Sequence, residues 1–328
     1  MKYIFLSLLL TISSSAHAWG KQGHAIINET AALLLAESED KDFLREHAFD
    51  LAYFANVPDI TWKQEQTYNT EAPQHFMDME KFDRELKIKK TSKGPYKLDE
   101  AFLLDREEFD AKYPNISVKA GRSWWRTREI YDLLHKQSEF LADKKMSVKD
   151  RHALQAQWLV LAGVLGHYIG DLSQPLHLTE NFDGQMSFQK GVHSYFEDQI
   201  VNQLIPKLAT DVLVEAKKQW PVFSKANHEA STLSLIANLS QISRSNIKPL
   251  LKLDKKQKRK KRVEQSKAYD KMIVDLMVQG SLTVAELWRR NLDWKFNGQM
   301  FYTFISIPDY ILPGTSKSTH IEEVKENK

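Results

Sequence analysis

Residues 158–177 read Trp-Leu-Val-Leu-Ala-Gly-Val-Leu-Gly-His-Tyr-Ile-Gly-Asp-Leu-Ser-Gln-Pro-Leu-His. The first eight are almost wholly apolar, and no period-two alternation marks a strand, so the stretch reads as part of a helix over 149–169. His167 and Asp171 stand four residues apart, which on a helix puts both on one face. Gln174-Pro175 ends the helix, because proline cannot continue it and restricts the residue before it. His177 then comes from the turn that follows. Burying a histidine and an aspartate on so apolar a helix is costly unless they pair with each other or ligate a metal.

The rest of the chain fits a helical protein. Glycine and proline are sparse, 12 and 10 in 328 residues, and strand-like alternation is rare. Apolar residues at three- and four-residue spacing predict helices over 25–35, 43–54, 126–141 and 192–204, with another over 269–288 that begins before Tyr269. Residues 87–95 and 113–121 read as loops. The run Lys-Lys-Gln-Lys-Arg-Lys-Lys-Arg at 255–262 reads as a solvated face or loop, with polyanion contact as the functional alternative. Trp124-Trp125 between Arg122 and Arg126 reads as a helix start packed into the core, with an aromatic-basic binding strip as the alternative. No internal repeat is found.

Composition narrows the function. A formal net charge of +3 gives no whole-protein basic field, so a negative substrate has to be attracted locally. Lys2, the apolar run 4–12 and Ala16-His17-Ala18 form a signal-peptide pattern over 1–18, with export to the periplasm or outside expected and Trp19 as the first mature residue. That apolar run is short of the ~20 residues that span a bilayer. With no cysteine, any metal site must use His, Asp, Glu or backbone groups.

Three further stretches suit metal binding. Trp19-Gly-Lys-Gln-Gly-His24 offers, after cleavage, an α-amine and a carbonyl that chelate together, with His24 close by; the alternative is an ordinary helix start. Asp59 after Pro58, and His75 before Phe76 and Asp78, could be a helix cap and a core histidine. His193 and Glu197 are again four apart on a predicted helix, which suits two ligands to one ion or an exposed ion pair. Imidazole with carboxylate suits zinc.

Taken together, these motifs resemble the trinuclear-zinc single-strand-specific nucleases of fungi and plants, and their relatives the bacterial zinc phospholipases C. The resemblance runs from Trp19 to about Gln203, in the expected order, and is that of a bacterial-type member. It implies an all-α fold, one globular helical domain over 19–328. It implies three zinc ions: one on Trp19, His24 and Asp171, a second on Asp59, His75 and His167 with Asp171 possibly shared, and a third on His177, His193 and Glu197. The implied activity is an endonuclease or 3′-nucleotidase that hydrolyses DNA or RNA to 5′-phosphate products by a zinc-bound hydroxide. Asp59 would orient the water or accept its proton. Lys63 would contact phosphate, and Phe76 and Asp78 would stack on and hydrogen-bond a base.

Some details depart from the nuclease pattern. Glu197 stands where the eukaryotic nucleases use Asp and the phospholipases use Glu. Trp62 stands where the nucleases carry a phosphate-binding Arg, and Asp183-Gly184-Gln185 stands near their Gly-Gly-Asn. The resemblance implies single-stranded nucleic acid or nucleotides as the substrate, with phospholipid as the alternative. The chain is not expected to be an integral membrane protein, and no protein partner is implied. A non-catalytic secreted zinc- or polyanion-binding protein is the remaining alternative.

Overall fold

The computed structural model describes residues 19–39, 41–88, 98–257, 263–294 and 309–314. The predicted signal peptide, 89–95 of the first loop and 258–262 of the basic run lie outside them. Helices α1 to α14, in chain order, are Gly20–Ser38, Asp42–Glu46, Ala48–Phe54, Tyr68–Glu71, Met79–Glu85, Arg106–Lys112, Ser123–Ala142, Val148–Ser173, Val192–Ser194, Val201–Leu204, Lys207–Asn227, Thr232–Ser245, Ile247–Gln257 and Val263–Arg289. Short 3-10 and π turns connect several of them. The only pairing of strand type among the described residues is an isolated bridge between Met77 and Gly121. The protein is all-α.

The apolar stretch that begins at Trp158 belongs to α8, which runs through the middle. Every residue from Trp158 to Ser173 is buried. Ser147 caps the first turn of α8, its Oγ accepting from the Asp150 amide at 3.1 Å. Helices α1, α3, α7, α12 and α14 pack around it. Tryptophans tie the layers together while satisfying their indole N–H groups. Trp158 donates to Ser138 Oγ of α7 at 2.9 Å, and Trp288 of α14 donates to the Ala162 carbonyl at 3.1 Å. Trp124 and Trp125 are core residues, as their sequence context suggests, and the Trp124 indole donates to Ser240 Oγ of α12 at 2.9 Å.

Three expectations are refined. The segment 43–54 is two helices, broken at His47, whose backbone leaves helical geometry and whose Nδ1 lies 2.8 Å from Asp50 Oδ2 in the first turn of α3. The helix over 192–204 is continuous but is π-wound over Tyr195–Ile200. The helix before Tyr269 begins at Val263, and together with α11 it packs against α1, so the C-terminal helices complete the bundle.

Two glycines on α8 set how closely α1 approaches. A Cβ on Gly166 would lie 2.0 Å from Asn28 Oδ1, and one on Gly170 would lie 2.7 Å from His24 Nδ1. This close approach is what brings His24 of α1 beside His167 of α8, their rings stacked with centroids 4.0 Å apart. Gly166→Ala is therefore expected to cost about 1–3 kcal/mol by overpacking. A thermal melt measures it, and an unchanged melting temperature would show that α1 can move away freely.

Candidate metal centre

The end of α8 carries His167 and Asp171, both fully buried. His167 Nδ1 lies 2.7 Å from the Ala55 carbonyl. A carbonyl only accepts, so Nδ1 carries the proton and the Nε2 lone pair points the other way. That lone pair meets Asp171 Oδ2 at 3.4 Å and His75 Nδ1 at 3.0 Å. The same logic orients three more rings. His177 Nδ1 is 2.6 Å from the His75 carbonyl, His193 Nδ1 is 2.8 Å from the Phe182 carbonyl, and His75 Nε2 is 3.2 Å from Glu71 Oε1. In each case an oxygen acceptor fixes the outer nitrogen and aims the inner one at a carboxylate. Histidines that ligate metals are held this way.

The inner faces converge. His75 Nδ1 lies 3.0 Å from Asp171 Oδ2 and 3.7 Å from Asp59 Oδ1, and His24 Nε2 lies 3.5 Å from Asp171 Oδ1. Three sets of potential ligand atoms lie within 4.8 Å of one another: His24, Asp59 and His167; His75, His167 and Asp171; and His177, His193 and Glu197. Within the third set His193 Nε2 is 2.7 Å and His177 Nε2 is 3.9 Å from Glu197 Oε2. Asp171 also reaches His177 Nδ1, at 3.8 Å. It thus contacts rings of the first two sets and lies close to the outer side of one ring of the third.

This arrangement is costly unless a cation is present. Two ring nitrogens face each other at 3.0 Å, which requires a proton or a metal between them. Burial works against a charged His75, yet the Asp171 and Glu71 carboxylates outweigh it and raise His75 to about 9. Burial pushes the Asp171 carboxyl up to about 7, against the pull of His75. Asp171 Oδ1 and His177 Nε2 are buried and lack a hydrogen-bond partner among the described residues. The donor set is nitrogen and oxygen, with no thiol, which suits zinc.

Two of the three carboxylates sit on π-wound turns. Asp59 lies in Pro58–Trp62 and Glu197 in Tyr195–Ile200. Asp59 makes no cap. The wider turns re-aim these side chains inward, and π turns are frequent at functional sites. Trp19 is fully buried beside the cluster, where its indole donates to Ser173 Oγ at 2.7 Å and its ring lies 5.4 Å from that of Phe196. Its carbonyl accepts from the Gly23 amide at 3.1 Å and retains a second lone pair. Lys63 Nζ lies 3.1 Å from Asp59 Oδ1, and Asp59 and Asp171 hold its pKa up against burial. Phe76 and Asp78 are half-buried, and neither side chain makes a hydrogen bond or ring contact with a cluster residue among the described residues. Burial, aided by Glu180 and Glu80, pushes the Asp78 carboxyl up to about 7.

The sequence reading missed the support behind His75. Glu71 is fully buried, faces His75, and accepts from the Tyr168 hydroxyl at 2.5 Å. Arg126 donates to Tyr168 Oη at 3.1 Å, to Glu71 Oε2 at 3.4 Å and to the Ile311 carbonyl at 2.7 Å. A signal existed: Glu71 stands four residues before His75, the same spacing as in the other pairs. Gln174, read as a helix stop, also donates to Glu197 Oε2 at 3.0 Å. Trp62 is a core residue, packed under the Arg126 guanidinium at 5.5 Å and against Tyr310 at 5.8 Å.

Comparison with known proteins gives two findings. The chain is 22% identical over 255 residues to a probable serine protease of Bradyrhizobium tropiciagri; the alignment covers 56% of this chain and 31% of that protein, so this chain spans under a third of its relative's length. The family model described as S1/P1 nuclease matches residues 19–278, the part that contains all nine predicted ligands, and the chain belongs to the S1/P1 nuclease family.

Proposed function

We propose that this chain is an exported, zinc-dependent phosphodiesterase. In this reading it is a single-strand-specific endonuclease or 3′-nucleotidase that cuts DNA or RNA to 5′-phosphate products. The observation that carries the reading is the set of four imidazoles, each fixed through its outer nitrogen and aimed at buried carboxylates. Membership of a nuclease family supports the reaction class. Trp19, His24, Asp59, His75, His167, Asp171, His177, His193 and Glu197 would hold the metal. When bound, zinc supplies Lewis acidity toward phosphoryl oxygens and a route from water to a nucleophile near neutral pH.

The chain's own groups would do the rest. Asp59, paired with Lys63, would orient the water or accept the proton that it loses on attacking phosphorus. Lys63 would place a point charge near the phosphate, in place of the fork of an arginine. Phe76 would offer a stacking face worth roughly 1–3 kcal/mol per base, available to a base that is not paired in a duplex. Asp78 would hydrogen-bond that base. Removal of residues 1–18 would free the Trp19 amine to join His24; the family match begins at Trp19, in keeping with this.

A serine protease is disfavoured at this centre. Ser173, next to the cluster, accepts from Trp19 and donates to the Gly170 carbonyl at 2.8 Å, and among the described residues no histidine bonds to it.

Four outcomes test the reading. Purified processed protein, assayed side by side on single-stranded DNA, RNA and phosphatidylcholine, should cut nucleic acid; cleavage of lipid alone would move the chain to a phospholipase activity. His167→Ala should abolish hydrolysis and lower zinc content. One extra residue kept before Trp19 should cripple the enzyme, and full activity with an extended terminus would sink the Trp19 assignment. Glu71→Gln should weaken zinc retention about 10–100-fold against a chelator. Unchanged retention would show that Glu71 does not hold His75.

A further inference from the structure

Residues 180–191 link the metal centre to a lysine-bearing helix. At one end, the Phe182 carbonyl accepts from His193 Nδ1 and Asp183 Oδ1 accepts from the His193 amide at 3.2 Å. At the other, Gln189 Nε2 donates to the Leu251 carbonyl at 2.8 Å and to Asp254 Oδ2 at 2.7 Å, both on α13.

The loop is braced from within. The amides of Ser187 and Gln189 donate to the Gly184 carbonyl at 3.0 and 2.8 Å, and the Met186 amide donates to Asn181 Oδ1 at 2.7 Å. Such a loop can hold side chains out into water, and it does. Phe182 is 49% exposed, Met186 67% and Phe188 101%, with Phe188 in the left-handed backbone region at φ 58°. A bulky residue in that conformation is strained, and strain of this kind gathers at ligand-contacting segments.

Beside the loop, α13 buries Ile247, Leu250 and Asp254. Lys248, Lys252, Lys255 and Lys256 are exposed and share the opposite face, within about a 100° arc at 3.6 residues per turn. None forms an ion pair with another described residue. The two acids at the start of the loop, and the α13 acid that Gln189 touches, are already engaged. Glu180 is held by both Arg84 guanidinium nitrogens, at 2.6 and 2.8 Å, Asp183 by the His193 amide, and Asp254 by Gln189.

We infer that Phe182, Met186, Phe188 and the α13 lysines form an extended docking track for single-stranded nucleic acid, leading away from the His193 side of the metal centre. This rests on the nuclease reading and adds to it a site for nucleotides beyond the one being cut. Exposed aromatics on the loop, and a basic stripe on the helix to which Gln189 bonds the loop, match the two demands of an unpaired strand, bases to stack and phosphates to neutralise. The modest net charge of the whole chain makes the local stripe the relevant field.

The test compares two substrates, a dinucleotide that reaches only the metal centre and a 20-nucleotide single strand, at several salt concentrations. The full processed zinc protein is assayed beside a quadruple variant, Lys248→Gln, Lys252→Gln, Lys255→Gln and Lys256→Gln, and beside Phe188→Ser. Thermal melts confirm that both variants fold. The quadruple variant should lower kcat/KM for the long strand at least tenfold relative to the dinucleotide. It should also flatten the logarithmic salt dependence by about 0.7 for each phosphate that the protein no longer neutralises. Phe188→Ser should lower the same ratio with the salt slope kept. Equal ratios and slopes in all three proteins would overturn the track. So would weaker binding of the variants to anionic phosphatidylserine vesicles with the long-strand ratio unchanged, which would make the surface a membrane-binding face. A wild-type protein that cuts neither substrate would instead defeat the nuclease reading itself.

Discussion

The structure depends on the burial of His167 and Asp171 at the end of a helix that is otherwise apolar and wholly enclosed. Neither group can be left unsatisfied there. Everything around them answers that demand. Gly166 and Gly170 let α1 approach closely enough to bring His24 against His167. The break at Gln174-Pro175 turns the chain back so that His177 faces the same space. Carbonyls of Ala55, His75 and Phe182 each accept a hydrogen bond from one imidazole N–H and thereby point the other nitrogen inward. The result is a buried set of lone pairs and carboxylates whose mutual repulsion only protons or cations relieve.

Behind this set lies a second buried layer. Glu71, Tyr168 and Arg126 form a chain of charge-assisted contacts that ends on the Ile311 carbonyl, far along the sequence. Arg126 is fully buried, and it is tolerable because Glu71, Tyr168 and the ring of Trp62 surround it. The C-terminal segment at 309–314 therefore bears on the position of His75, though it lies beyond the part matched to the family.

Much of this was legible in the sequence because it is written in local spacing. The pairs His167/Asp171 and His193/Glu197 are four apart, and the structure brings each pair together. The central helix announced itself by its apolar run. What was not legible depends on distant contacts. The π winding at Asp59 and Glu197 has no spacing signature, since it is fixed by the neighbours each turn packs against. The break at His47 falls inside a continuous apolar pattern, which hides it. Glu71 has the right spacing to His75, but its role shows only when Tyr168 and Arg126, distant in sequence, close around it. That Trp62 belongs to the core also shows only through Arg126 and Tyr310, both distant in sequence.

The central claim is that these residues form a metal-holding centre. The most direct measurement is elemental analysis of the protein purified with Trp19 as its first residue, with zinc counted per chain by mass spectrometry after extensive buffer exchange. Three ions per chain is the count that the proposed reading predicts. A folded protein that retains no zinc, and takes up none when it is supplied, would contradict the account.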